Sequence, residues 1–147
     1  VPMRAAGVKV GLGVDGSSSA DSASGWMEAR QAMLLAKLRD GAHAGTARMA
    51  LEMATLGGAG CLRREGELGV IAPGAVADLA VWKLTGPAFA GALADPIEAW
   101  LRCGPVSAWH TIVNGRFVVR DGHLVHPDIH RALASHAQHA ARIQQLA

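Results

Sequence analysis

Apolar positions along the chain keep two rhythms, and the change falls near Arg63. Before it, apolar residues recur at helical spacing. From Gly25 to about Arg39 they are Met27, Ala29/Arg30, Met33/Leu34, Ala36/Lys37 and Leu38. Ser24 stands at the N-cap of this predicted helix, Glu28 favours its positive end, and Asp40-Gly41 stops it. Thr46 caps a second predicted helix, Ala47 to Leu56, with Met49, Ala50, Met53 and Ala54 facing inward. After Arg63 the pattern turns to Gly/Pro punctuation and short β-like runs. Val76 to Leu84 partly alternates and predicts a strand. Asp95-Pro96 opens a short helix through Trp100 to Cys103, because Pro suits the first helical position. Ala108 to Val113 and Arg116 to Val119 flank Asn114-Gly115, the dipeptide of a type I′ hairpin turn. A turn at Asp121-Gly122 leads to His123-Leu124-Val125. The end, Asp128 to Leu146, predicts an amphipathic helix with Ile129, Leu133, Ala137, Ala140 and Ile143 on one side.

One run fits neither rhythm. Ala5-Ala6-Gly7 looks like a helix stop with Gly7 as the left-handed cap. Val8 to Val14, broken by Lys9, is then apolar on both faces, which predicts a buried strand. It ends in Asp15, and a Gly/Ser loop from Gly16 to Ser24 follows. In enzymes built on parallel barrels, reactive side chains sit where strands end. Asp15 is therefore the first candidate for chemistry. The same pattern also describes an aspartate that merely caps a turn.

Composition narrows the classes. Half of the chain is hydrophobic, which suits a packed core and excludes a disordered chain. The net charge of +2 is scattered, and aromatic residues are 4% with no Tyr, so neither a nucleic-acid patch nor a stacking surface is predicted. No apolar run nears the roughly 20 residues of a membrane span. No export signal is visible, so the expected location is the cytoplasm. Cys61 and Cys103 lack Cys-x-x-Cys spacing and read as small buried apolar residues in a reducing compartment, although sequence leaves a disulfide open.

Other chemistry-bearing residues read more plainly. His126/His130 and His136/His139 have face-sharing spacing, but no Cys or acid completes a ligand set, so solvated histidines are expected. His43 reads as a surface or capping residue. Met27, Met33, Met49 and Met53 read as core. Trp26 could shield a planar substrate or simply pack. Ser17, Ser18 and Ser19 lack the Gly-x-Ser-x-Gly context of a nucleophile. Gly57-Gly58-Ala59-Gly60 permits close packing or turns and is a weak phosphate cradle, since no Lys-Ser/Thr follows.

Four segments, in order, resemble the amidohydrolase superfamily. Residues 10–19, Val-Gly-Leu-Gly-Val-Asp-Gly-Ser-Ser-Ser, are similar to its last barrel strand. Residues 47–59, Ala-Arg-Met-Ala-Leu-Glu-Met-Ala-Thr-Leu-Gly-Gly-Ala, are similar to the helix that follows. Residues 69–82, Gly-Val-Ile-Ala-Pro-Gly-Ala-Val-Ala-Asp-Leu-Ala-Val-Trp, resemble the strand returning to a small β-sandwich. Residues 111–122, Thr-Ile-Val-Asn-Gly-Arg-Phe-Val-Val-Arg-Asp-Gly, resemble its closing hairpin. Within the superfamily the branch holding guanine deaminase, triazine hydrolases and 8-oxoguanine deaminase is nearest. Residues 39–44 and 87–96 resemble the 8-oxoguanine deaminase branch.

The resemblance implies an α/β fold: the last strand and helices of a (β/α)8 barrel, half of a small β-sandwich, and a terminal helix. Its divisions are 1–62 for the barrel end, 63–126 for the sandwich segment and 127–147 for the helix. It implies a divalent metal, usually zinc, that activates water for removal of an exocyclic amine from a purine-like or triazine ring. Asp15 matches the aspartate that binds the metal, takes the water's proton and passes it to the leaving amine. That role is chemically sound, because a metal lowers the pKa of bound water towards about 7 and keeps a neighbouring carboxylate ionised. Chloride or an amide nitrogen is the alternative leaving group. Asp78 falls in an architectural segment and is expected to bond nearby backbone.

This chain departs from the family in one large respect. All seven histidines follow Asp15, and no His-x-His exists. One carboxylate cannot hold a catalytic zinc, and one strand cannot close a barrel. The sequence starts with Val1, so the expectation is that the remaining barrel precedes it or comes from another chain. A non-catalytic module that associates with a partner is the alternative. Relatives often assemble, so a homo-oligomer is expected. Ala20 stands where relatives carry Asn next to Asp21, which bears on any substrate contact there.

Overall fold

A computed structural model describes residues 2–16, 19–20 and 22–145. The chain divides into two compact units, one reaching to Ala77 and resuming over Lys83–Val106, the other Asp78–Trp82 with the residues from Ser107 onward. The shift of pattern at Arg63 is thus a change of local structure inside the first unit. Residues 83–106 belong to that unit because their helix packs on its helices.

The first unit is helical. It contains α1 (Pro2–Ala5), α2 (Gly25–Asp40), α3 (Ala47–Glu52), α4 (Gly58–Cys61) and α5 (Pro96–Arg102). A π-turn over Met53–Gly57 joins α3 to α4 without a break. The predicted caps all form. Ser24 Oγ accepts from Met27 N, Thr46 Oγ1 from Met49 N, and Asp95 Oδ1 from Ile97 N and Glu98 N. Gly41, at φ 98°, ends α2.

Ala29, Met33 and Ala36 of α2 meet a core that includes Ala47, Ala50, Ala99 and Leu101, all buried. Small residues dominate, so these helices approach closely. Two inward assignments fail. Ala54 is exposed, because the wider π-turn rotates the face that α-periodicity predicted. Met27 is 50% exposed, and Leu34, Leu35 and Leu38 stand open beside it. A groove of about 670 Å³ runs along that face, lined by Trp26, Met27, Leu34, Leu35, Leu38 and Pro105 among others. Cys61 is exposed, not buried, and both cysteines are free thiols.

Residues 8–14 belong to no sheet among the described residues, contrary to the predicted strand. A strand exists through its ladder. Here the backbone bonds a helix instead, Leu12 N donating to Met53 O at 3.2 Å.

The second unit holds an antiparallel meander, β1 (Leu79–Val81), β2 (His110–Val113), β3 (Arg116–Arg120) and β4 (His123–Leu124), in that spatial order. Leu79 pairs with Ile112 and Val113 with Arg116. Asn114 and Gly115 have φ of 48° and 76°, the signature of the predicted type I′ turn. The predicted strand 76–84 shortens to β1. The terminal helix α6 (Ile129–Gln144) forms with no buried residue, and Leu133 and Ile143 are exposed.

Glu98 ties α5 to the start of α3. Its Oε1 accepts from Ala47 N at 2.9 Å, and Oε2 pairs with Arg102. Partial burial pushes its carboxyl up. The Ala47 hydrogen bond and Arg102 outweigh that and hold it below the usual range, against a smaller opposing effect from Asp95. Glu98→Ala should cost about 1–2 kcal/mol in urea unfolding. Since the native carboxyl titrates below its unfolded value of about 4.3, its contribution is complete above that pH and is lost as pH falls through the native value. The stability gap to Glu98→Gln should therefore shrink below about pH 4. A gap constant down to acid pH would show that the charge does not hold the cap.

Candidate functional site

Asp15 emerges where the segment 8–14 leaves the helices. Gly11 lies against α4: a Cβ there would come within 2.9 Å of Gly58 Cα. Lys9 on the same segment pairs with Glu65, whose carboxyl is held below the usual range by that ammonium. The chain then turns. Asp15 is at φ 58°, a left-handed conformation that costs a non-glycine residue roughly 1 kcal/mol and that Asp tolerates better than most. Gly16 N donates to Asp15 Oδ1 at 2.8 Å, and Ser19 N and Ala20 N both donate to Gly16 O. The carboxylate is exposed.

Both readings of Asp15 thus have a physical counterpart. It does hold a turn through one oxygen. It also stands in a strained conformation with its carboxylate facing outward. A carboxylate has about four acceptor positions, so one hydrogen bond leaves room for a cation. Among the described residues no three His, Cys, Asp or Glu side chains gather into a metal-binding group. Asp15 is therefore suited to be one ligand of a metal, and a catalytic zinc takes about three from protein. Ser17, Ser18 and Asp21 lie outside the described residues.

The other candidates resolve into architecture. Trp26 packs: its Nε1 donates to Trp100 O at 2.9 Å, and Gly104 lies against its ring. Asp78 Oδ1 accepts from Asn114 N at 2.7 Å, so the acid anchors the hairpin turn, as its segment implied. His130, His136 and His139 are exposed on α6, and His139 Nδ1 lies 2.7 Å from Ser135 O. His126 Nδ1 accepts from Asp128 N, and His43 is exposed between α2 and α3. Sequence reasoning missed Glu98 as the cap of α3. Its spacing from Asp95 marks it as the fourth residue of a local capping motif and gives no hint of a partner 51 residues away.

An acid thus ends a run packed on a helix, and a small antiparallel meander follows further along the chain. The chain belongs to the amidohydrolase family, whose sequence pattern matches residues 2–118. It is 41% identical over 143 residues to 8-oxoguanine deaminase of Pseudomonas aeruginosa, covering 97% of this chain and 31% of that one. It superposes on an adenosine deaminase from Xanthomonas campestris solved with bound zinc, with TM-score 0.85 and 26% identity, covering 97% of this chain and 33% of that one. For atrazine chlorohydrolase from Arthrobacter aurescens complexed with zinc the TM-score is 0.77 and identity 33%, covering 90% and 30%. The chain thus spans about a third of the length of these relatives. Its mixed helix-and-sheet fold matches the C-terminal part of the family's barrel enzymes.

Asp78→Ala should speed amide exchange at Asn114 about tenfold, by removing a hydrogen bond worth about 1–1.5 kcal/mol. Unchanged exchange would remove Asp78 as the anchor of the turn.

Proposed function

We propose that this chain is the closing portion of a zinc-dependent aminohydrolase that releases ammonia from a purine-like ring of the 8-oxoguanine or guanine type, or from a triazine. The observation that carries this is Asp15, an exposed carboxylate in a left-handed turn at the end of the family's last-strand segment. The 41% identity to an 8-oxoguanine deaminase supports the purine class. Residues outside this chain supply the other ligands. The metal, when bound, lowers the pKa of a water towards about 7.

Asp15 then has two tasks. It offers an oxygen to the cation, and it accepts the water's proton. As the water oxygen bonds the ring carbon and the C–N bond breaks, Asp15 returns that proton to the departing nitrogen, which leaves as ammonia. Gly16 N, bonded to Oδ1, helps orient the carboxylate for both transfers. Chloride as leaving group is the second reading, favoured by the likeness to an atrazine chlorohydrolase.

The remainder of the barrel is the partner in this proposal, either preceding this segment or on another chain. The open apolar face of α2 and the half-exposed segment 8–14 suit such a neighbour. In this reading 1–62 closes the barrel, the meander within 63–126 belongs to the smaller β-domain, and the helix after 127 follows it. Two free thiols fit the cytoplasm, and a homo-oligomer belongs to the same proposal. No helix among the described residues is long and apolar enough to cross a membrane.

In the complete enzyme, Asp15→Asn should lower kcat by about 10²–10⁴-fold and weaken zinc retention. Turnover read as ammonia and as chloride separates the two leaving groups. Full turnover by Asp15→Asn would sink the assignment.

A further inference from the structure

Gly57 sits inside the π-turn with φ −62° and ψ −45°, ordinary helical values that any residue adopts. Its conformation therefore gives no reason for glycine, which costs a helix about 1 kcal/mol relative to Ala. Its surroundings do. A Cβ at Gly57 would lie 2.1 Å from Val10 O and 3.1 Å from Val10 C. Across the same contact, a Cβ at Gly11 would lie 2.9 Å from Gly58 Cα and 3.0 Å from Gly58 N. Leu12 N donates to Met53 O, the first residue of the π-turn. Three successive residues, Val10, Gly11 and Leu12, are thus set against helix backbone, and Asp15 follows three residues later. The ion pairs flanking this face, Arg4–Glu52 and Lys9–Glu65, are exposed and add little.

We infer that Gly57 and Gly11 are positioning residues for Asp15: the missing side chains set how deep the segment 10–12 lies against the helix, and hence where the carboxylate meets the metal. An alanine at Gly57 must drive the two backbones apart by about 1 Å, because Val10 O is a main-chain atom with no rotamer to change. A displacement of that size at a reacting group can cost about 10²-fold. Gly58, the next residue, is an internal control. Its φ is −60°, and a Cβ there meets nothing within 4 Å.

The inference rests on Asp15 serving as ligand and proton acceptor, and the test uses the complete enzyme. Zinc affinity of the metal-free protein is measured by competition with a chromophoric chelator, alongside kcat and KM. Gly57→Ala should weaken zinc binding about tenfold and lower kcat about 10²-fold with KM changed less. Gly58→Ala should stay within about twofold on all three and raise thermal stability slightly. Gly11→Ala would set its Cβ 2.9 Å from Gly58 Cα, also a main-chain atom, so the backbones must part there too, by less than at Gly57. It should give a smaller loss of the same kind, and it carries the test if Gly57→Ala does not fold. The decisive readout is coupling. In an Asp15→Asn background, Gly11→Ala should change residual turnover less than about twofold, because its effect passes through the carboxylate.

Equal losses in both backgrounds would overturn the inference, as would folded glycine variants with unchanged zinc affinity and kcat. Failure of both variants to fold would also overturn it, since the contact would then hold the fold and not the acid. If Asp15→Asn alone keeps full turnover, the role of Asp15 falls. If Asp15→Asn is impaired and the glycine variants are not, only the positioning falls.

Discussion

Backbone meets backbone between residues 10–12 and the helix at 53–58, and the first unit is arranged to allow it. Side chains normally hold a chain segment some distance from a helix axis. Here Gly11 on the segment and Gly57 on the helix remove them on both sides. The π-turn interrupts the α-ladder at the same place, and Met53 O takes a donor from outside the helix, Leu12 N. Magnitudes say what fixes this contact. One hydrogen bond contributes about 1 kcal/mol, and the exposed ion pairs beside it add little. Overlap of a Cβ with a carbonyl oxygen at 2.1 Å is far costlier than either. Shape decides the depth of the segment, and charge only decorates it.

Asp15 inherits its place from that depth. Its own left-handed turn is short and tied by Gly16 N and by two donors to Gly16 O. Such a turn can orient a carboxylate, but it cannot say how far the carboxylate projects. The projection is set upstream. A residue argued to bind a cation and move a proton must be held within about half an ångström of its productive place. Backbone contact is stiffer than contact through side-chain ends, which rotate.

Features that depend on four neighbouring residues were legible in the sequence. Ser24, Thr46 and Asp95 cap because a side-chain oxygen reaches a main-chain N–H two or three residues on. Asn114-Gly115 turns because both residues accept positive φ. Features that depend on distant partners were not. Glu98 caps α3 across 51 residues, and no local pattern announces it. The π-turn shifted Ala54 outward, since periodicity assumes one pitch throughout. Met27, Leu34, Leu35 and Leu38 fit the helical stripe, yet α2 buries only the Ala29–Met33–Ala36 side of it within this chain. Asp15 itself was legible as an acid closing an apolar run; its left-handed backbone and its dependence on Gly57 were not.

The open side of α2 bears on the reading of the whole. Four apolar side chains there are between 47% and 84% exposed. Covering each is worth about 1 kcal/mol or more, since full burial of such a residue gains about 1.5–3 kcal/mol. Together that is several kcal/mol, a large share of the roughly 5–15 kcal/mol that holds a domain folded. In the proposed enzyme the same neighbour would also bring the ligands that Asp15 lacks. In that reading stability and chemistry would have one source, the barrel portion proposed to cover this surface.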